Sequence, residues 1–249
     1  MRSPTTPERP QLSSPVLGAL ERALGFGFFG GGPLETQILH AWEFGTCAEE
    51  FLGSDTSGDH DVGAYAGSFR EQFLDLGSGG GLPGLVLADR WQACRAVLLD
   101  ANLRKAAALE EAIGACGWQR RVSVLQSRAE VAGRSALRGT FDLVVARSFA
   151  PPPVTAECAA PFLRPGGLLV VSEPPTDSVA TKEGVLLASD PVRWPSVGLA
   201  IVGLEPLSAW RGRFGFQVLR QAAPCPERFP RREGIPNKRP IYVSKVPGA

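Results

Sequence analysis

From residue 71 onward, short apolar runs without polar alternation are separated by segments of helix-compatible spacing. The runs read as strands at residues 73–76, 96–99, 122–125, 141–145 and 168–171. Between them, residues 83–91, 102–112 and 154–163 read as helices, with Asn102 as an N-cap and Pro165-Gly166-Gly167 as the stop after the last. Strands apolar at every position are buried on both faces, the mark of a parallel sheet with helices on each side. Right-handed crossovers then give an α/β fold: a doubly wound, mostly parallel seven-stranded sheet, Rossmann-like in kind. Residues 199–204 and 214–219 complete it, the last as an antiparallel hairpin partner. Ahead of the sheet, residues 17–24 and 34–51 form a helical extension around the glycine-rich stretch 25–32, and 53–67 reads as a linker or lid. The organisation is a disordered lead-in at 1–14, helical extension and linker at 15–70, sheet domain at 71–222 and a basic, proline-rich tail at 223–249.

Composition adds limits. A chain of 249 residues with 44% apolar and 20% charged residues has enough material for a well-buried core. No run approaches a membrane span, and the Pro-, Ser- and Thr-rich N-terminus lacks the apolar stretch of a signal peptide. Cys47, Cys94, Cys116, Cys158 and Cys225 are odd in number and scattered, which suits idle thiols in a reducing, cytoplasmic setting and no metal site. Net charge is +1, yet it is unevenly spread: residues 1–70 carry nine acids and four bases, and residues 205–249 carry three acids and nine bases. A basic tail on a near-neutral chain fits a polyanionic partner as well as it fits a solvated tail.

The chemistry gathers at Asp75-Leu-Gly-Ser-Gly-Gly-Gly-Leu-Pro-Gly84. A strand ends there on Asp75 and Leu76 and enters a turn of glycines, where backbone can take positive φ and a ligand meets no Cβ. A helix N-terminus follows, with free N–H groups. Gly79-x-Gly81-x-x-Gly84 fits the dinucleotide fingerprint, a weak match on its own. Asp75 two residues before the first glycine, and Gly77 and Ser78 where strand would have to continue, favour a cofactor without pyrophosphate: S-adenosylmethionine. Asp100 ends the second strand 19 residues after Gly81, and a carboxylate there accepts both hydroxyl protons of a ribose.

These residues resemble a family. The glycine loop with its Leu82-Pro83-Gly84 extension is similar to the first motif of the RsmG (GidB) small-subunit ribosomal RNA guanine-N7 methyltransferases. Leu98-Leu-Asp100 with Arg104-Lys105 and Leu109, Gln126-Ser-Arg-Ala-Glu130, Phe141-Asp-Leu-Val-Val-Ala-Arg147-Ser-Phe-Ala150 and Leu163-Arg-Pro-Gly-Gly167 resemble its later motifs in order. The stretch from Cys225 to Pro240 resembles the family's Tyr-Pro-Arg…Gly-x-Pro-x-Lys-x-Pro tail. The likeness covers roughly residues 71–245. It departs where members carry a His and Asp-Ser-Leu before the first strand, here Asp59-His60-Asp61. It departs again where they carry a Lys after the fifth strand, here Ser172-Glu173, and a Ser after the ribose carboxylate, here Ala101.

The resemblance implies an S-adenosylmethionine-dependent methyltransferase domain at 71–222, acting on N7 of a guanine in ribosomal RNA of the small subunit. Its implied cofactor residues are Asp75, Gly77, Ser78, Gly79, Gly81, Leu82, Asp100, Ala101, Arg128, Ala129, Glu130 and Arg147. Arg147 is the expected positioning group in catalysis, forking onto the cofactor carboxylate, a phosphate or the guanine edge, with a salt bridge to Asp142 or Glu173 as its structural alternative. Arg128 and Glu130 are close enough to pair. Arg228, Arg231, Arg232, Lys238 and Arg239 suit RNA phosphates, in a segment kept extended by proline. A small-molecule methyltransferase using Glu173, and a non-catalytic RNA-binding relative, are the alternatives. His40 and His60 read as structural or exposed.

Overall fold

A computed structural model of the protein describes residues 10–52, 71–174, 185–211 and 213–243. The linker at 53–67, with His60, lies outside the described residues. Among the described residues, eight strands form one sheet: β1 (Gln72–Leu76), β2 (Arg95–Asp100), β3 (Val122–Gln126), β4 (Phe141–Ala146), β5 (Leu163–Glu173), β6 (Val185–Leu187), β7 (Leu204–Arg211) and β8 (Gly215–Gln221). Their order is β3-β2-β1-β4-β5-β8-β7-β6, parallel through β5 and antiparallel beyond it. The doubly wound sheet is as expected, with the three-residue β6 added at its edge. The direction of winding reverses between β1 and β4, so the crevice at their carboxyl ends is where a ligand is expected.

The helices are α1 (Ser14–Gly25), α2 (Leu34–Leu52), α3 (Gly84–Arg90), α4 (Leu103–Cys116), α5 (Ala129–Ala132), α6 (Pro152–Ala159), α7 (Ser196–Ala200) and α8 (Ile235–Lys238). Asn102 caps α4, its Oδ1 accepting from Lys105 N at 3.1 Å. Successive strand residues point into opposite cores. Phe73, Leu143 and Val170 join Leu20, Phe44, Leu85 and Leu109 from α1 to α4 on one face. Leu74, Val144 and Leu169 join Val154, Leu199 and Phe229 on the other. The N-terminal helices therefore pack into one covering layer of the sheet. Among the described residues, no helix is long and apolar enough to cross a membrane.

Two expectations change. Residues 199–204 are not a strand: Leu199 and Val202 are buried three apart, as on a helix face, and strand begins only at Leu204. The apolar run was compatible with either period: α7 takes its first two residues, and turn bonds from Val202 N to Leu199 O and from Gly203 N to Ala200 O carry the chain on to Leu204. Nor is the tail extended. Phe229 and Pro230 are buried, α8 adds a helical turn, and two arginines hold the tail's carbonyls. Arg138 donates to Cys225 O at 2.6 Å and Phe229 O at 2.7 Å, and Arg134 to Pro230 O at 2.5 Å.

Candidate functional site

The glycine turn is fixed to its neighbours by backbone. Gly77 N and Ser78 N both donate to Leu99 O, at 2.8 and 2.9 Å, tying the turn to the end of β2. Gly79 N donates to Asp100 Oδ2 at 2.8 Å, and Asn102 N to Asp100 Oδ1 at 2.8 Å. Gly77 has φ 77°, and a Cβ there would stand 2.7 Å from Cδ2 of Phe149, so both the turn and the ring demand glycine. A Cβ on Gly79 would meet only Gly77 O at 3.9 Å, leaving space for a ligand against the backbone.

Over this turn opens a cleft of about 380 Å³. Of the expected cofactor residues, Gly77, Gly79, Asp100, Ala101, Arg128, Ala129 and Glu130 line it. Four others lie beneath. Asp75 is entirely buried, its Oδ2 accepting from Gly84 N at 2.9 Å, so the first N–H of α3 serves this carboxylate and not a ligand. Ser78 donates its hydroxyl to Asp75 O at 2.9 Å, while Leu82 belongs to the core and Gly81 packs on Leu85. These residues shape the turn without reaching the cleft. Burial raises the Asp75 pKa to about 7 against an ordinary 3.8, with the charge of Asp100 adding to the rise and the Gly84 N–H and Arg147 opposing it.

The cleft has further walls that the expected set omitted: Lys105, Ser127, Ser148, Phe149, Ala150 and Asn237. All but Asn237 belong to the cofactor-domain motifs already quoted, so they were within reach of a wider reading. Asn237 comes from the tail and carries no local signal. Arg128 bridges two carboxylates, 3.2 Å from Glu233 and 3.9 Å from Glu130, whose Oε1 accepts from Gly234 N at 3.0 Å. The expected Arg128–Glu130 pair is thus shared with the tail.

A second compartment of about 300 Å³ adjoins the first, sharing Ser148, Phe149 and Ala150. Ser148 holds φ at 52°, a rare state for a residue with a side chain, at the partition between the two spaces. Arg147 lines this second space rather than the first, carried past the partition by the turn after β4. It donates to Gln37 Oε1 at 3.1 Å, and Gln37 Nε2 in turn donates to Gly30 O and Gly32 O at 3.2 and 3.3 Å. Asp142 pairs with Arg164 and Glu173 with Arg193, the latter at 2.5 Å, which leaves Arg147 facing the compartment. Glu173 is buried and also accepts from Trp194 Nε1 at 2.9 Å. His40 lines the same wall, stacked on Phe214 at 4.5 Å. Burial, helped by Arg147, lowers its pKa to about 4, so the ring is neutral near pH 7.

Of the five tail cations expected to meet RNA, Arg231 is claimed by the fold: its Nε and Nη2 lie 2.8 and 2.5 Å from the buried carboxylate of Glu157. That fork, with a further bond from Nη2 to Arg239 O, makes Arg231 part of the fold's own framework and leaves Nη1 outside it. Arg228 lies over the Phe229 ring at 5.0 Å, and Arg228, Arg232, Lys238 and Arg239 are exposed.

Residues 61–183 match the GidB family, described as rRNA small subunit methyltransferase G. A curated "Ribosomal RNA small subunit methyltransferase G" from Synechococcus sp. (strain CC9311) is 37% identical over 171 residues, 68% of this chain and 65% of that protein. One of the same name from Prochlorococcus marinus (strain MIT 9313) is 36% identical over 173 residues, 68% of this chain and 67% of its own. The matches therefore cover about two thirds of these relatives' length. A crystal structure of a protein from Corynebacterium glutamicum aligns over 86% of this chain and 92% of its own, with a TM-score of 0.47 and 20% identity. On the strength of the sequence matches, the chain belongs to the GidB family of rRNA small subunit methyltransferases.

Proposed function

We propose that the protein is an S-adenosylmethionine-dependent methyltransferase that modifies N7 of a guanine in small-subunit ribosomal RNA. The observation that carries this reading is the pair of adjoining compartments divided by Ser148, Phe149 and Ala150: one rimmed for a nucleoside, the other holding Arg147. The residues suit the cofactor. The open side of Gly79 is a cradle that any Cβ would fill, and Asp100 retains lone pairs for ribose hydroxyls beyond its two N–H partners. Backbone at Ala129 and Glu130 borders the space left for the base.

S-adenosylmethionine supplies an electrophilic methyl group on a sulfonium. Guanine N7 has a lone pair and no proton, so the acceptor side requires no general base. That agrees with the side chains present, a neutral His40 and a Glu173 already paired with Arg193. The work of the site is positioning and exclusion of water. Arg147, held by Gln37, presents N–H donors to a guanine O6 or a phosphate. Arg228, Arg232, Lys238 and Arg239 supply exposed positive charge for the RNA backbone. Glu173 lines the second compartment, but its carboxylate is already paired with Arg193, which makes it a weaker ligand for a small cationic acceptor.

Labelled S-adenosylmethionine offered to small ribosomal subunits lacking native methylation tests the reading. Label in the RNA, mapped to guanine N7, supports it. Cofactor binding without RNA labelling sinks the acceptor assignment, and no cofactor binding sinks the enzyme.

A further inference from the structure

The C-terminal tail reaches the cofactor cleft from 137 residues beyond Asp100 in sequence, and Asn237 on α8 forms part of the cleft wall. Its position along the cleft can be deduced. Gly234 N is bonded to Glu130, and Glu233 pairs with Arg128, so the start of α8 sits against the loop that follows β3. Asp100 ends β2 and takes the ribose; the loop after the next strand outward borders the base. Asn237, three residues beyond Gly234, therefore stands at the base end of the cleft.

The chemistry there is selective. Arg128 only donates, and Glu130 accepts from Gly234 already. Ser127 turns its hydroxyl to Arg128 O at 3.1 Å. Asn237 offers a donor and an acceptor on one planar group, and its carboxamide has no hydrogen-bond partner among the described residues. Adenine presents the matching pair, an exocyclic amine beside a ring nitrogen, which a carboxamide engages with two bonds. The tail is also held firmly enough to act as a wall: Arg231 forks onto Glu157, and its backbone N–H adds a bond to the same carboxylate at 2.9 Å.

We propose that Asn237 is a cofactor-binding residue that reads the adenine edge, and that the Glu157–Arg231 pair holds it in place. The inference rests on the cofactor assignment made above and adds to it a binding residue supplied by the tail, which also carries the exposed cations. RNA contact and cofactor retention then share one segment of chain.

Calorimetric titration of the full chain with S-adenosylhomocysteine, and with its inosine counterpart in which a carbonyl replaces the exocyclic amine, tests this. The wild type should prefer the adenine compound. Asn237→Ala should bind it about ten- to a hundred-fold more weakly, the loss of a bidentate pair, and lose most of the preference. Its melting temperature should stay unchanged, because the Asn237 carboxamide bonds nothing among the described residues. Arg231→Gln should weaken binding too, and adding Asn237→Ala to it should cost little more, because both act through one contact. Wild-type affinity and preference in Asn237→Ala would overturn the inference while leaving the cofactor reading intact. A wild type that binds neither compound would overturn both.

Discussion

Arg231 and Glu157 meet through two guanidinium nitrogens at 2.8 and 2.5 Å, and the Glu157 side chain is wholly buried in α6. Such a carboxylate is stable only while its cation is present. Arg231→Ala should therefore destabilise the protein by about 3 kcal/mol or more, measured by denaturant unfolding, since it strands a buried charge. Adding Glu157→Gln to that variant should recover much of the loss. If Arg231→Ala melts like the wild type, the pair is not the pin that its geometry indicates.

Charge at Arg232, Lys238 and Arg239 should behave differently, because these side chains are exposed. Each neutralised to Ala should leave thermal stability within about 0.5 kcal/mol of the wild type. If each meets a phosphate, each removal should reduce the slope of log affinity against log salt by about 0.7 to 0.9. Filter binding to small-subunit RNA across a salt series reads this directly. A slope that does not respond to the triple variant would take RNA away from this face of the tail.

Asp75 predicts a pH dependence. Burial holds its folded pKa at about 7, above the ordinary 3.8, so between these values the folded chain keeps a proton that the unfolded chain releases. Unfolding then releases a proton, and stability falls as pH rises. The favourable contribution is complete below pH 3.8 and is lost through pH 7, with a limiting slope of about 1.4 kcal/mol per pH unit. Asp75→Asn keeps an oxygen for the Gly84 N–H and removes the titration. Its stability relative to wild type should rise across that window and level off above it, as followed by denaturant melts at stepped pH. A constant difference would show that Asp75 ionises normally.

What the sequence made legible was local. A carboxylate, a glycine turn and a capped helix are neighbours in the chain, so the turn, Asp100 and the N-cap at Asn102 could be read from residue types and spacing. Which of those residues face the cleft could not. Asp75, Ser78, Gly81 and Leu82 belong to the same motif as Gly77 and Gly79, and it is the pleat of β1 that turns Asp75 inward and the path of the glycine turn that buries the other three. Partners far apart in sequence were equally hidden. Glu157 claims Arg231 across 74 positions and Gln37 claims Arg147 across 110. A basic residue in a basic tail looks free until the fold places a buried acid beside it.

Asp100 and Arg147 lie in different compartments, so their variants should separate cofactor affinity from methyl transfer. Asp100→Ala removes the acceptor proposed for the ribose and also releases the N–H groups of Gly79 and Asn102. It should weaken S-adenosylhomocysteine binding by about ten- to a hundred-fold, one or two hydrogen bonds to a charged group, in a protein that still folds. Arg147→Ala should leave that affinity within about three-fold, because the side chain stands beyond the Ser148–Ala150 partition and lines only the second space. Its turnover on ribosomal RNA should fall by about a hundred-fold, the scale expected when a positioned cation is lost. Arg147→Lys should recover little, since a lysine keeps the charge without the fork and must reach Gln37 Oε1 with a single amine. Calorimetry and single-turnover methylation on the same preparations give both readouts. Equal loss of cofactor affinity in the two variants would mean that Arg147 does reach the cofactor, as the sequence first suggested.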